Sequence, residues 1–322
     1  MDRRQRSRLN THAEFRSFWG RIGLATLAGL LFCLVFMLIG MNAAEKQTRL
    51  YRAKIKIKSL LASPSPAPLP YATNSYDQLV AYPDKVEVPR PRITDKTIVA
   101  FVFGQSNASN FGGEKYSADG VFNYFDGKFY AAADPLLGAC GNRGSVWTLA
   151  AGKWIALGLA DQVIVIPAGV DGKSVNAWKK GAPLRTLLEK RLQDAQTHKL
   201  PITHFLWHQG ETDHPANPDR NKATPSEYTG VLSEIIELTK TYYPSAKFFV
   251  ARATRSSILK PSPELQKAQS GLTKMEHVFL GPNTDLIGNT DRYDDCHFSA
   301  RGLEKHAQGW VDALKSPRKT DP

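Results

Sequence analysis

Cysteine is scarce in this chain: 322 residues hold three, Cys33, Cys140 and Cys296. Three thiols cannot build a disulfide framework, and no CxxC pair offers zinc spacing. Unbalanced charge is also missing from most of the chain. The formal net charge is +12, yet residues 1–58 carry twelve Lys/Arg against three Asp/Glu, while residues 59–322 carry thirty against twenty-seven. That near balance excludes the clustered positive groove that nucleic acid needs. There are no internal repeats.

Long hydrophobic runs are absent but for one. Ile22 to Met41 is twenty uncharged residues, enough to cross a hydrocarbon core of ~30 Å as a helix. The run is too long for a signal-peptide h-region, and Asn42 sits where a cleavage site wants a small residue, so it reads as an uncleaved anchor. Six Arg precede it and six basic residues follow closely, which leaves the positive-inside count tied. Large domains translocate regardless of nearby charge. The expectation is a single-pass membrane protein with a cytoplasmic N-tail and an extracytoplasmic (periplasmic or extracellular) domain. Its plan is a basic tail at 1–21, the anchor at 22–41, a juxtamembrane basic segment and proline-rich linker at 42–72, and one folded domain at 73–322. Within the linker, residues 45–61 read equally as an amphipathic helix or a solvated basic stretch. Residues 63–70 are a proline-rich spacer that holds an extended conformation.

Beyond the linker, strand and helix patterns alternate. Apolar runs at 97–103, 162–167, 202–207 and 246–251, with a weaker one at 278–280, predict strands. Helices are predicted at 145–159, 183–197, 226–242 and 300–315; in the last, Leu303, Ala307, Trp310 and Leu314 share a face. Alternating βα units with near-continuous apolar strands imply an α/β fold whose parallel sheet is covered on both faces. Residues 104–144 are too long for a simple βα connection, and such length is usually functional.

Four segments carry chemistry. Gly104-Gln105-Ser106-Asn107 follows the first apolar strand, where open α/β sheets keep their ligand crevice. A helical turn starting there would present both the Ser106 hydroxyl and its backbone N–H to one approaching group. Gly141-Asn142-Arg143-Gly144-Ser145 offers backbone N–H groups at a helix start. Trp207-His208-Gln209-Gly210-Glu211-Thr212-Asp213 follows the strand at 202–207. Asp294-Asp295-Cys296-His297 precedes the final helix. An Asp three residues before a His lets one loop deliver both a base and the carboxylate that orients it.

Together these blocks, with Asp171-Gly172-Lys173-Ser174-Val175-Asn176-Ala177-Trp178, resemble the SGNH hydrolase superfamily and, within it, the sialate O-acetylesterase-like carbohydrate esterases. The resemblance covers about residues 95–315. It implies a three-layer α/β/α sandwich with a five-stranded parallel, flavodoxin-like sheet. It also implies Ser106 as nucleophile, His297 as general base and Asp294 as the residue orienting it. The oxyanion donors would be the N–H of Ser106, a glycine N–H from the second block and an amide from the third. Gly144 is favoured over Gly141 because it lies nearer the helix start, and Gln209 is chosen for the amide.

Several residues admit a plainer reading. Asp295 has the wrong spacing to His297 and is expected at the surface. Glu211 and Asp213 could be catalytic carboxylates, but Glu211 reads better as a brace for its loop. His208, Glu211 and His214 lack zincin spacing, so no metal and no cofactor is expected. Trp178 and Trp207 could stack on a sugar, though buried tryptophans beside a crevice are commoner. Tyr116, Phe122, Tyr124, Phe125, Phe129 and Tyr130 could line a glycan groove or a satellite core. Cys140 and Cys296 are either buried thiols or one bridge pinning the base loop. The function expected is a membrane-anchored serine esterase that removes acetyl groups from a carbohydrate through an acetyl-enzyme. The alternatives are an O-acetyltransferase with the same triad and a non-catalytic glycan-binding module.

Overall fold

The computed structural model describes residues 70–322 apart from 220, 257–258 and 321–322. The expected anchor at 22–41 and the basic stretch at 45–61 lie outside the described residues. Among those described, no helix is long and apolar enough to cross a membrane. Three short strands, β1 (Ala72–Thr73), β2 (Leu79–Ala81) and β3 (Glu87–Val88), lead into β4 (Thr97–Gly104). Next come β5 (Ser117–Phe125), β6 (Lys128–Ala133), α1 (Val146–Ala156), β7 (Gln162–Pro167) and α2 (Pro183–Thr197). The rest is β8 (His204–His208), α3 (Pro225–Tyr242), β9 (Lys247–Arg252), α4 (Pro263–Gly271), β10 (Val278–Asn283) and α5 (Ala300–Lys315).

The main sheet has the order β10-β9-β8-β4-β7-β5-β6-β3. Neighbours are parallel from β10 through β5, and β6 and β3 are added antiparallel. The sheet is therefore mixed, which corrects the expected parallel one. The difference comes from residues 117–133, which form a hairpin inside what reads as a long loop. Asp126 and Gly127 at its tip have φ of 49° and 80°, the left-handed pair that a two-residue type I′ turn requires. Tyr124, Phe125 and Phe129 are buried. The hairpin aromatics thus feed the core more than any groove.

Strand alternation explains the layers. In β4, Val99, Phe101 and Phe103 join the core under α2 and α3, while Ile98, Ala100 and Val102 join the core under α1 and α5. Phe103 meets Trp178, Trp207 and Phe248 edge-on on the first face; each such buried ring contributes about 1.5–3 kcal/mol through burial. Trp178 and Trp207 are both fully buried, so both are core. The second face closes on Trp147 of α1 against Trp310 of α5, 5.0 Å apart. Helix starts are set locally. Thr224 and Glu227 form a reciprocal capping box before α3, and Ser145 and Ser299 cap α1 and α5.

This topology brings the chemical blocks to one edge. The strands continuing from β4 and from β8 lie on opposite sides of that central pair, so a crevice opens at their carboxyl ends. There the two backbones nearly touch. Gln105 N–H donates to the His208 carbonyl at 3.1 Å, and Gly104 has φ +133° with the space for a Cβ blocked by the His208 carbonyl oxygen at 2.1 Å. Gly104→Ala should therefore destabilise the protein by at least ~2 kcal/mol. Urea denaturation is the check, and an unchanged midpoint would contradict this account of the crevice.

Candidate active site

Ser106 opens a 3₁₀ turn, Ser106–Ala108, directly beyond β4, and is buried. Each neighbour in the Gly-Gln-Ser-Asn block has a task. Gln105 Oε1 accepts from the N–H groups of Gly210 and Thr212 at 3.3 and 3.2 Å, tying this turn to the loop after β8. Asn107 Nδ2 donates to Glu211 Oε1 at 2.8 Å and reaches the Cys296 carbonyl at 3.4 Å. The residue after Ser106 is thus bonded to the residue before His297.

His297 sits on the loop before α5. Its Nδ1 is 2.8 Å from Asp294 Oδ2, and Asp294 Oδ1 accepts from the N–H groups of Cys296 and His297 at 3.1 and 2.7 Å. Burial works to raise the Asp294 pKa, but the hydrogen bond and charge of His297, together with these N–H groups, outweigh it and hold the carboxyl well below the usual range. An ionised Asp294 can only accept, so Nδ1 is the donor in that bond, and in the neutral imidazole the lone pair is on Nε2. That Nε2 is buried with no hydrogen-bond partner among the described residues. Phe111 and Tyr293 both stack on the imidazole, at 5.0 and 5.9 Å. Arg292 fixes the loop from beneath by donating to the carbonyls of Thr284, Ile287 and Cys296. Asp295 is half-buried rather than exposed, with φ +64°.

The second and third blocks differ from expectation in detail. Gly144 N–H donates to the Gly112 carbonyl at 3.2 Å, so it is not a free donor. The loop at 111–115 crosses directly over it: a Cβ there would fall 1.4 Å from the Glu114 carbonyl oxygen. Gly141 is different. It has φ +84°, lies against Asn110 and the Phe111 ring, and its N–H has no partner among the described residues. Gln209 is fully buried, and its Nε2 donates to Asp213 Oδ2 at 2.7 Å and to the Lys173 carbonyl at 3.1 Å. Both amide hydrogens are engaged, which makes Gln209 a brace. Asp213 is the hub it braces against, also accepting from Val175 and Ala223 N–H.

The two thiols are free. Cys140 Sγ donates to the Tyr76 carbonyl within the core under α2 and α3, while Cys296 lies near Ser256, Glu211 and Arg292. His208, Glu211 and His214 do not converge on a common point, since His214 Nε2 pairs with the Lys260 carbonyl and His208 Nε2 with Thr284. Arg292, Phe111 and Tyr293 are residues the sequence reading passed over. Only Tyr293 carried a signal, as an aromatic abutting Asp294. A cavity of about 790 Å³ lies away from all these blocks, walled by β10, α5 and the C-terminal tail.

Comparison with known proteins gives the family. The model of the carbohydrate esterases described as sialic acid-specific acetylesterases matches residues 99–315. The chain belongs to that family. As a carbohydrate acetylesterase it is a carboxylic ester hydrolase, and the four blocks fall within the matched span. Among solved structures, an Arabidopsis thaliana protein shares 17% identity at a TM-score of 0.56, covering 68% of this chain and 98% of its own. The structure of NanS shares 14% identity at a TM-score of 0.50, covering 69% of this chain and 97% of its own. These likenesses concern the fold. No curated protein matches the chain.

Glu211 gives the acetylesterase site a measurable signature. Burial pushes its carboxyl up from 4.5 to about 7, against the Asn107 hydrogen bond that lowers it. The folded state then holds a proton that the unfolded state releases between these values. Its contribution to stability is complete below about 4.5 and is lost as pH rises through about 7. Relative to Glu211→Gln, the wild type should lose on the order of 3 kcal/mol between about pH 4.5 and pH 8. Denaturation midpoints of both proteins across that window test this, and parallel curves would mean Glu211 is ionised throughout.

Proposed function

We propose that this acetylesterase uses Ser106 as nucleophile, His297 as general base and Asp294 as its orienting carboxylate, through an acetyl-enzyme. The observation that carries the reading is His297, with Nδ1 held by Asp294 and Nε2 without a partner among the described residues, on a loop whose Cys296 carbonyl is reached by Asn107 of the turn that bears Ser106. Ser106 Oγ attacks the acetyl carbonyl carbon while Nε2 takes its proton. The oxyanion is met by the N–H groups of Ser106 and Gly141. On collapse, His297 returns the proton to the leaving sugar oxygen. Water then repeats the sequence with His297 again as base, releasing acetate. Gln209 and Asp213 hold the loop after β8 and do not contact the oxyanion.

The substrate is an O-acetylated carbohydrate. The chain works from a membrane, anchored by residues 22–41 with the esterase domain outside the cytoplasm. The support is the length of the uncharged run and the proline-rich spacer that follows it.

Full-length protein assayed on p-nitrophenyl acetate and on an acetylated sugar tests the chemistry. Ser106→Ala and His297→Ala should each lower kcat by at least ~10³-fold, with Asp294→Asn less severe. Near-wild-type turnover by Ser106→Ala would remove the mechanism. Turnover that appears only with a sugar acceptor would make the protein a transferase. For the anchor, the chain should resist extraction from membranes by alkaline carbonate; release into the supernatant would contradict it.

A further inference from the structure

Arg143 is an exposed cation at the lip of the site, and the active-site chemistry makes no use of its side chain. Its backbone is fixed, N–H to the Asn110 carbonyl at 3.0 Å. Its guanidinium carbon lies 4.9 Å from the centre of the Tyr293 ring. Tyr293 stacks in turn on His297 and donates its hydroxyl to the Phe111 carbonyl at 2.9 Å. Arg143 therefore rests one aromatic layer out from the His297 imidazole. Among the described residues its side chain makes no ion pair and no hydrogen bond; of the acids felt at Tyr293, Asp294 acts most strongly and is engaged by His297, and Asp171 acts least.

A guanidinium laid on an aromatic face keeps its N–H edge free, and that edge matches a carboxylate bidentately. The stack also pre-orders a side chain that would otherwise lose rotamer freedom on binding. An Arg kept for fold stability would be expected to carry an acidic or carbonyl partner, as Arg292 does. We propose that Arg143, racked on Tyr293, is a specificity-determining residue that binds a carboxylate on the acetylated sugar. The proposal rests on the esterase reading for the location of the reacting ester, but the recognition it describes can be read without turnover.

The test compares N-acetylneuraminic acid with its methyl ester, and their O-acetylated forms. By calorimetry, full-length wild type should bind the free acid at least ~10-fold more tightly than the methyl ester, with the gap shrinking at high salt. Arg143→Gln should reduce that ratio to about one, and Arg143→Lys should keep part of it. In turnover of the O-acetylated pair, the same ratio should appear in KM more than in kcat. Equal binding of acid and ester by wild type, or an unchanged ratio in Arg143→Gln, would overturn the proposal. Discrimination in binding without hydrolysis of any ester would uphold Arg143 and instead bring down the catalytic assignment.

Discussion

One buried side-chain hydrogen bond, Asn107 Nδ2 to Glu211 Oε1 at 2.8 Å, lies just beyond the ends of the two central strands, and the site is arranged about it. Asn107 follows Ser106, and Glu211 follows the close contact between β4 and β8. The same Asn107 amide reaches the Cys296 carbonyl, which Arg292 also holds. Three loops from distant parts of the chain thus meet through one side chain. Removing the Glu211 acceptor would leave Asn107 buried without its main partner, at a cost of about 1–3 kcal/mol. The loss would be felt in the placement of Ser106 as much as in stability.

The polar layer beneath this bond is electrically quiet. Burial lowers His208 to about 3 and lowers His306 well below its ordinary value, so both imidazoles stay neutral at working pH. Their rings lie 4.7 Å apart, and His306 pairs with Trp310 Nε1. The fixed charge there is Arg292, surrounded by three carbonyls and laid over Phe298 at 4.3 Å. The layer beneath the loop of His297 is thus one clamped guanidinium among neutral imidazoles and aromatic rings.

Much of this was legible in the residues. Strands β4, β7, β8 and β9 announce themselves because they are buried on both faces and are written as apolar runs. The Asp three residues before His297 reads as its partner, and the two side chains stand 2.8 Å apart. The hairpin was missed although Asp126-Gly127 between aromatic residues is a turn signal, because the glycines and asparagines around it suggested a loop. Helix α4 was missed because it is short and buries only Leu265 and Gln269, too few to set a period. That the Gly144 N–H is engaged was not legible at all. It depends on Gly112, whose carbonyl takes the Gly144 N–H, and no local spacing reveals which N–H a distant loop will occupy. The same holds for Gln209, whose amide is captured by Asp213 and the Lys173 carbonyl.

The two borders of the main sheet have a further consequence. At one border stands β3, only two residues long, after an antiparallel hairpin. At the other, the Leu280 N–H of β10 is taken by the carbonyl of Arg318 in the C-terminal tail. A short terminal strand and an edge N–H already covered by the tail both discourage the docking of another chain as an added strand. Copies of this domain would therefore meet more readily through helices or loops than by extending the sheet from one molecule into the next.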